Sequence, residues 1–157
     1  MKNFQNKAKI VKVSKIIRHI LFAGLVLWIG IGIPVALLQA VNLWNKIGNA
    51  ATMYLQGGAI LMLILSFIVN LKLFRFFDRL KNGNLFDAQT IGYLDAAGKW
   101  WVLFSIVEGL FYAVGLEFFK IGQVWSFGGL FAGLTLIFVA WLLKEAQELQ
   151  EEQELTV

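Results

Sequence analysis

Glu108 is the residue whose type and position most directly suggest chemistry. It interrupts an otherwise apolar stretch from Trp100 to Leu116 and lies nine residues after Lys99. A carboxylate at the centre of a bilayer costs at least about 2.5–3.5 kcal/mol, so it normally faces the bundle interior or a water-filled cavity. Two interpretations stay open: a proton- or cation-binding site, or a neutral carboxyl hydrogen-bonded to Ser66, Thr135 or a backbone carbonyl.

Two other patterns inside apolar stretches have a structural and a functional interpretation. Pro34 follows Gly30 and Gly32; a proline frees the carbonyl four residues earlier and kinks a helix, so this position is a candidate hinge or simply a kink. Gly129 and Gly133 form a G-x-x-x-G pair, which lets two helices approach closely. That packing could be within one chain or between two copies in a homodimer.

Several kinds of chemistry are excluded or unsupported by the composition. The chain has no cysteine and a single histidine, His19, so thiolate sites and histidine metal clusters are ruled out. The aspartates Asp78, Asp87 and Asp95 are spaced nine and eight residues apart and do not share a helix face. No catalytic residue, metal site or cofactor is predicted.

The elements that must position Glu108 and Pro34 are transmembrane helices. Hydrophobic residues make up 59% of the 157 residues and charged residues 15%, an apolar excess that a soluble domain of this length could not bury. Apolar stretches near or above the roughly 20 residues that span a bilayer predict four crossings. We therefore predict an all-α class, one membrane domain over 1–157, and spans at about 18–42, 50–71, 100–117 and 121–143.

Lysine and arginine counts in the flanks predict the orientation. The segment before the first span has six and the middle loop has five, whereas each of the other two loops has one. An excess of basic residues marks the cytoplasmic side. We expect an inner-membrane protein with both termini, the loop 72–99 and the tail 144–157 in the cytoplasm. Because orientation accounts for these charges, no nucleic-acid partner is predicted.

The middle loop is expected to be helical. The second span continues as an amphipathic helix that ends near Gly83, where glycine can adopt the left-handed conformation of a C′ residue. A new helix should begin after Asp87, whose side chain is expected to cap the free N–H groups of the first turn. Phe86 precedes this cap in the position of a hydrophobic staple.

Two stretches resemble a known family. They are 73–87, which holds the turn from Gly83 to Phe86, and 149–157, which ends in Glu154, Leu155, Thr156 and Val157. Together they are similar to the bacterial four-span proteins of the domain of unknown function 2975 family. The resemblance implies four spans, a Gly-x-x-Phe turn after the second span, and an acidic tail. The family has no assigned activity, but its genes often neighbour small helix-turn-helix regulators, which implies signalling or regulation.

These observations favour an integral membrane protein that interacts with a cytosolic regulatory protein through the loop 72–99 and the tail. The alternative is a small proton- or cation-coupled transporter that uses Glu108 and Pro34. An enzyme is not expected, because it would need two or more polar residues converging at one depth, and Glu108 is the one candidate that we find.

Overall fold

The computed structural model describes residues 2–44, 50–84, 87–120 and 128–155. For residues 2–7, 39, 40, 42–44, 154 and 155 it describes the backbone alone. Every regular element in these ranges is helical, so the predicted all-α class is confirmed. The elements are α1 (Lys2–Leu27), a π-helical turn (Trp28–Gly32), α2 (Ile33–Trp44), α3 (Ala50–Leu80), α4 (Ala88–Phe119) and α5 (Gly128–Leu155).

Four apolar helices in the described ranges are long enough to cross a membrane: Ala8–Leu38, Ala50–Leu80, Ala88–Phe119 and Gly128–Gln153. Their outward-facing side chains are large and apolar; Leu110 is 63% exposed and Phe118 75% exposed. Such surfaces are suited to lipid rather than water. The helices run past the predicted spans, because α3 continues nine residues beyond 71 and α4 begins twelve residues before 100. The first residues of the predicted fourth span, 121–127, lie outside the described ranges.

The helices are arranged in chain order, with α1 against α3, α3 against α4, and α4 against α5. The antiparallel order brings the C-terminal part of α3, the N-terminal part of α4 and the C-terminal part of α5 to one end of the bundle. We call this end the charged end, because it holds Arg18, Asp78, Arg79 and Lys144.

A buried apolar cluster lies at the charged end. It comprises five buried residues from α3, α4 and α5: Phe76, Leu80, Ile91, Leu94 and Ala140. Elsewhere the described helices bury few large apolar side chains. The three later helices are therefore held together by a core at one end and by close small-residue crossings within the apolar stretches.

The turn between α3 and α4 forms as predicted. Gly83 has a φ of 82°, a left-handed conformation that a side chain would strain. Its N–H donates to the carbonyl of Leu80, the last residue of α3. Asp87 adopts the extended conformation of an N-cap residue, but its side chain makes no capping hydrogen bond. The N-cap position is confirmed, but the predicted side-chain contact is not, because Arg79 and the Thr90 hydroxyl engage this carboxylate.

Candidate functional site

Glu108 faces a cavity of about 310 Å³ between α3 and α4. No described residue donates a hydrogen bond to its carboxyl group or pairs with it. The two hydroxyls considered as partners are engaged elsewhere: Ser66 donates to the carbonyl of Leu63 at 3.2 Å, and Thr135 donates to that of Phe131 at 2.8 Å. Neither hydroxyl is hydrogen-bonded to Glu108 in the described structure, and the choice between a proton- or cation-binding site and a neutral structural carboxyl stays a prediction.

The walls of this cavity limit its chemistry. The described residues that line it besides Glu108 are Leu55, Gly58, Ala59, Met62, Phe104, Phe111 and Tyr112. Only the phenol of Tyr112 adds a polar side-chain group to the carboxyl. Hard cations such as Ca²⁺ take six to eight oxygen ligands. The cavity is therefore better suited to a proton or a neutral polar group than to a metal ion.

Pro34 follows a π-helical turn. The turn spans Trp28–Gly32, and the N–H of Ile33 bonds to the carbonyl of Trp28, five residues back. A proline removes the hydrogen bond to the carbonyl four residues earlier, here Gly30, and a wider turn absorbs this loss. The hinge role assigned to Pro34 stays a prediction, and the wider turn is the local irregularity on which a hinge would depend.

Gly129 and Gly133 face α4. A Cβ atom on Gly133 would lie 2.8 Å from the backbone nitrogen of Val102 and 3.0 Å from the carbonyl oxygen of Gly98. A Cβ on Gly129 would clash with the hydroxyl of Ser105. The G-x-x-x-G pair thus packs within the bundle in this structure, and the same face is not free for a second copy.

A hydrogen-bonded group crosses the turn at the charged end. Arg79 donates from Nη2 and Nε to one oxygen of Asp87, at 2.5 and 3.1 Å, and from Nε to the Thr90 hydroxyl at 3.2 Å. Thr90 is fully buried and donates to the same carboxylate at 3.3 Å. The hydrogen bond from Arg79 is the main reason that the pKa of Asp87 lies below its usual value; desolvation opposes it, and the guanidinium charge and Thr90 add to it.

A second group ties α1 to the same end. Arg18 lies 2.9 Å from a carboxylate oxygen of Asp78, which also accepts from Lys81 at 2.6 Å. The guanidinium of Arg18 lies 5.6 Å from the centre of the Phe74 ring, within the range of a cation–π contact. These contacts fix α1 at Arg18 against the C-terminal part of α3.

A cleft of about 630 Å³ lies between α4 and α5 at the charged end. Its floor is apolar and includes Ile91, Ile137 and Ala140. The charged residues that border it are Asp95, Lys99, Lys144, Glu148 and Glu151. The cleft lies on the charged-end side of the place where Gly98 and Gly133 meet.

The border of the cleft is organised by contacts within each helix. Lys99 pairs with Asp95 at 2.6 Å, and Lys144 with Glu148 at 3.5 Å. Gln147 donates to Glu151 at 2.8 Å. Trp141 is 56% exposed where the cleft meets the apolar stretch of α5. An apolar floor with a charged border is the form of a groove that receives an amphipathic helix.

Sequence reasoning did not find this cleft or the Arg79–Asp87 group. Asp95 with Lys99 and Lys144 with Glu148 are each four residues apart, a spacing that signals a paired helix face. That signal could have marked the borders of the cleft. No periodicity predicts that the two faces lie opposite each other.

Not all predicted site residues can be placed. Phe86 and Val157 lie outside the described residues, and Glu154 and Leu155 belong to the end of α5 without described side chains. Within the described ranges, no group of three or more acidic, histidine or cysteine side chains could hold a metal ion.

One protein family matches most of the chain. The family model described as protein of unknown function (DUF2975) matches residues 45–157. The chain belongs to this family. The DUF2975 match includes α3, α4 and α5, and with them Glu108, the turn at Gly83 and the α4–α5 cleft; α1 and Pro34 lie before it. Neither the curated proteins nor the solved structures gave a significant match.

Family membership and the four apolar helices support the same conclusion. This DUF2975 chain is a multi-pass membrane protein of unknown biochemical activity. The predicted family and the membrane character are confirmed.

Proposed function

We propose that this chain is a docking protein of the bacterial inner membrane that binds a basic, amphipathic helix of a cytosolic regulatory protein. The α4–α5 cleft at the charged end is the observation that carries the proposal. In this arrangement both termini and the charged end lie in the cytoplasm. The proposal includes no catalytic reaction.

The orientation is supported by the distribution of basic residues. Six precede the first span and five lie in 72–99, against one in each of the two loops at the opposite end. This asymmetry favours retention of the charged end in the cytoplasm. A cytosolic partner could then reach the cleft without crossing the bilayer.

The chemistry of the partner follows from the charge around the cleft. The tail 144–157 holds five glutamates and one lysine, a net charge of −4. Lys99 and Lys144, the cations at the border, are each paired with an acid of their own helix. Glu151 is the border carboxylate without a lysine partner among the described residues. A basic helix would meet Glu151 and the acidic tail beside it, and its apolar face would cover the floor formed by Ile91, Ile137 and Ala140.

The orientation can be tested with single cysteines, because the native chain has none. Asn84→Cys lies in the exposed turn of the charged end, and Glu117→Cys lies near the opposite end of α4. In intact cells, a membrane-impermeant maleimide that reaches the periplasm should label the second variant and spare the first. Labelling of Asn84→Cys in intact cells would contradict the proposal.

Binding can be tested with a defined probe. A synthetic 18-residue helix of lysine and leucine, arranged with one apolar face, is titrated into the purified full-length protein. Glu148→Gln/Glu151→Gln should weaken its binding about tenfold, because both side chains border the cleft. Glu145→Gln/Glu152→Gln changes the net charge equally at residues that do not line the cleft, and should alter binding less than about twofold.

A substitution that leaves the charge unchanged tests whether the probe binds in the cleft or only to the acidic tail. Gly92 lines the cleft, is exposed, and has no atom within 4 Å of the position that a Cβ would take. Gly92→Trp should fill the cleft without disturbing the packing and should abolish binding of the probe. Unchanged binding by Gly92→Trp, or equal loss in the two double glutamine variants, would show that the cleft is not the binding site.

A second candidate function, a small proton-coupled transporter, is supported by one observation. Glu108 faces a cavity at mid-span depth and has no hydrogen-bonding partner among the described residues. An intramembrane carboxyl in this position is a natural proton-binding group. Proton flux into liposomes that depends on the reconstituted protein and is lost in Glu108→Gln would favour this function over docking.

A further inference from the structure

Lys72 and Arg75 on α3 differ from the cations around them. Arg18, Arg79, Lys81 and Lys99 each pair with a carboxylate. In the part of the chain that the structure describes, Lys72 and Arg75 have no acidic partner. Both instead lie against one aromatic ring.

The ring is that of Tyr93 on α4. The Nζ atom of Lys72 lies 6.0 Å from its centre and the Cζ atom of Arg75 lies 5.9 Å from it. The phenol oxygen accepts a hydrogen bond from Gln89 at 3.3 Å. An aromatic face attracts cations at this distance, so Tyr93 gathers two positive charges on one side of the α3–α4 contact.

These cations stand where the apolar part of α3 ends. Residues 47–71 carry no charge, and Lys72 is the first charged residue that follows them. At 1.5 Å per residue, Arg75 lies only about 5 Å further along the helix. This is the level at which the polar headgroups of a bilayer meet a helix that leaves its hydrocarbon core.

The same face of α3 is apolar and open within the membrane. Ile64, Ile68 and Arg75 are separated by four and seven residues, so they share a helix face. Ile64 is 54% exposed and the neighbouring Leu61 44% exposed. α1 meets α3 at Phe74 and Asp78, and α4 meets it at Gly58. At Ile64 the face borders the cavity that α3 forms with the π-helical turn and α2.

We propose that this face of α3 holds an anionic phospholipid, with its phosphate between Lys72 and Arg75 and an acyl chain along Leu61, Ile64 and Ile68. Two unpaired cations at headgroup level provide complementary charge for the phosphate. The aliphatic side chains below them, exposed at Leu61 and Ile64 and half-buried at Ile68, provide the matching apolar surface. Both cations lie about 6 Å from the centre of the Tyr93 ring, and this shared contact distinguishes the site from a diffuse basic surface.

The test uses purified full-length protein and native mass spectrometry with phosphatidylglycerol and, separately, phosphatidylcholine. Lys72→Gln/Arg75→Gln should reduce phosphatidylglycerol binding about tenfold. Lys9→Gln/Lys12→Gln removes the same charge from exposed positions of α1 and should reduce it less than twofold. Lys72→Arg/Arg75→Lys keeps the charge and should keep the binding.

The outcomes separate a lipid site from its alternatives. Equal loss in the two double glutamine variants would mean that binding follows overall charge, and would overturn the proposal. Equal binding of phosphatidylcholine would overturn it as well. Displacement of the lipid by millimolar inorganic phosphate would assign the cations to a free anion instead.

Discussion

Arg79 and Asp87, eight residues apart across the turn between α3 and α4, are joined by two hydrogen bonds from one guanidinium to one carboxylate oxygen. The same oxygen accepts from Thr90 in the first turn of α4. This contact therefore sets the position at which α4 begins relative to the end of α3. The apolar cluster at the charged end depends on that position, since Leu80 and Ile91 lie on either side of the turn.

We predict that Asp87→Asn lowers the thermal stability of the purified protein at pH 7 by a few degrees at most. The effect is small because 39% of the Asp87 side chain and 31% of the Arg79 side chain are exposed, so solvent screens the pair. The measurement is Tm in detergent, with Asp95→Asn as a control that breaks an ion pair within a single helix. A larger loss in the control would contradict a special role for the turn.

The difference in Tm between wild type and Asp87→Asn should depend on pH, because it follows the ionisation of Asp87. Its folded pKa lies below the ordinary value of 3.8 because Arg79 donates hydrogen bonds to the carboxylate. The stabilisation that the Arg79–Asp87 contact gives the folded state is therefore complete above about pH 4–5. It is lost as the pH falls through the pKa that Asp87 has in the folded protein. The Tm values of wild type and Asp87→Asn should differ at pH 7 and converge below that pKa. A difference that grows on acidification would contradict this linkage.

Gly133→Ala should destabilise the bundle by about 1–3 kcal/mol, the usual cost of overpacking. The added methyl would lie 2.8 Å from the backbone nitrogen of Val102, and backbone cannot move aside as a side-chain tip can. Gly57→Ala is the matched control, because no atom lies within 4 Å of its added methyl. The measurement is the free energy of unfolding in mixed micelles. The control should be neutral or up to about 1 kcal/mol more stable, from helix propensity alone.

The helices and the turn were accessible to sequence reasoning because local physics fixes them. Apolar length predicts the crossings, and the left-handed conformation at Gly83 follows from a glycine in a polar break. The helix against which Gly129 and Gly133 pack could not be predicted, because packing on α4 and packing on a second copy require the same small residues. The Arg79–Asp87 contact has no periodic spacing, and the α4–α5 cleft exists only after both helices are placed.

Tyr54→Phe should cost about 0.5–1 kcal/mol. The Tyr54 hydroxyl donates to the carbonyl of Phe111, and single hydrogen bonds between membrane helices contribute about this much. The substitution keeps the stacking of the ring on Phe111 and Phe119, at 4.3 and 4.8 Å between centres. Tyr54→Ala removes both and should cost at least twice as much by chemical unfolding. Equal losses in the two variants would mean that the stacking contributes nothing.

Glu108→Gln should leave Tm unchanged within about 2 °C. No described residue donates to the Glu108 carboxyl, so the amide loses no partner, and the two side chains have nearly the same volume. Glu108→Leu removes the polar group and should raise the stability, because the cavity is lined almost entirely by apolar groups. The measurement is thermal unfolding of wild type and both variants in the same detergent. A marked loss of stability in Glu108→Gln would reveal an ionised carboxylate held by a partner, and would shift attention from the cleft to the membrane interior.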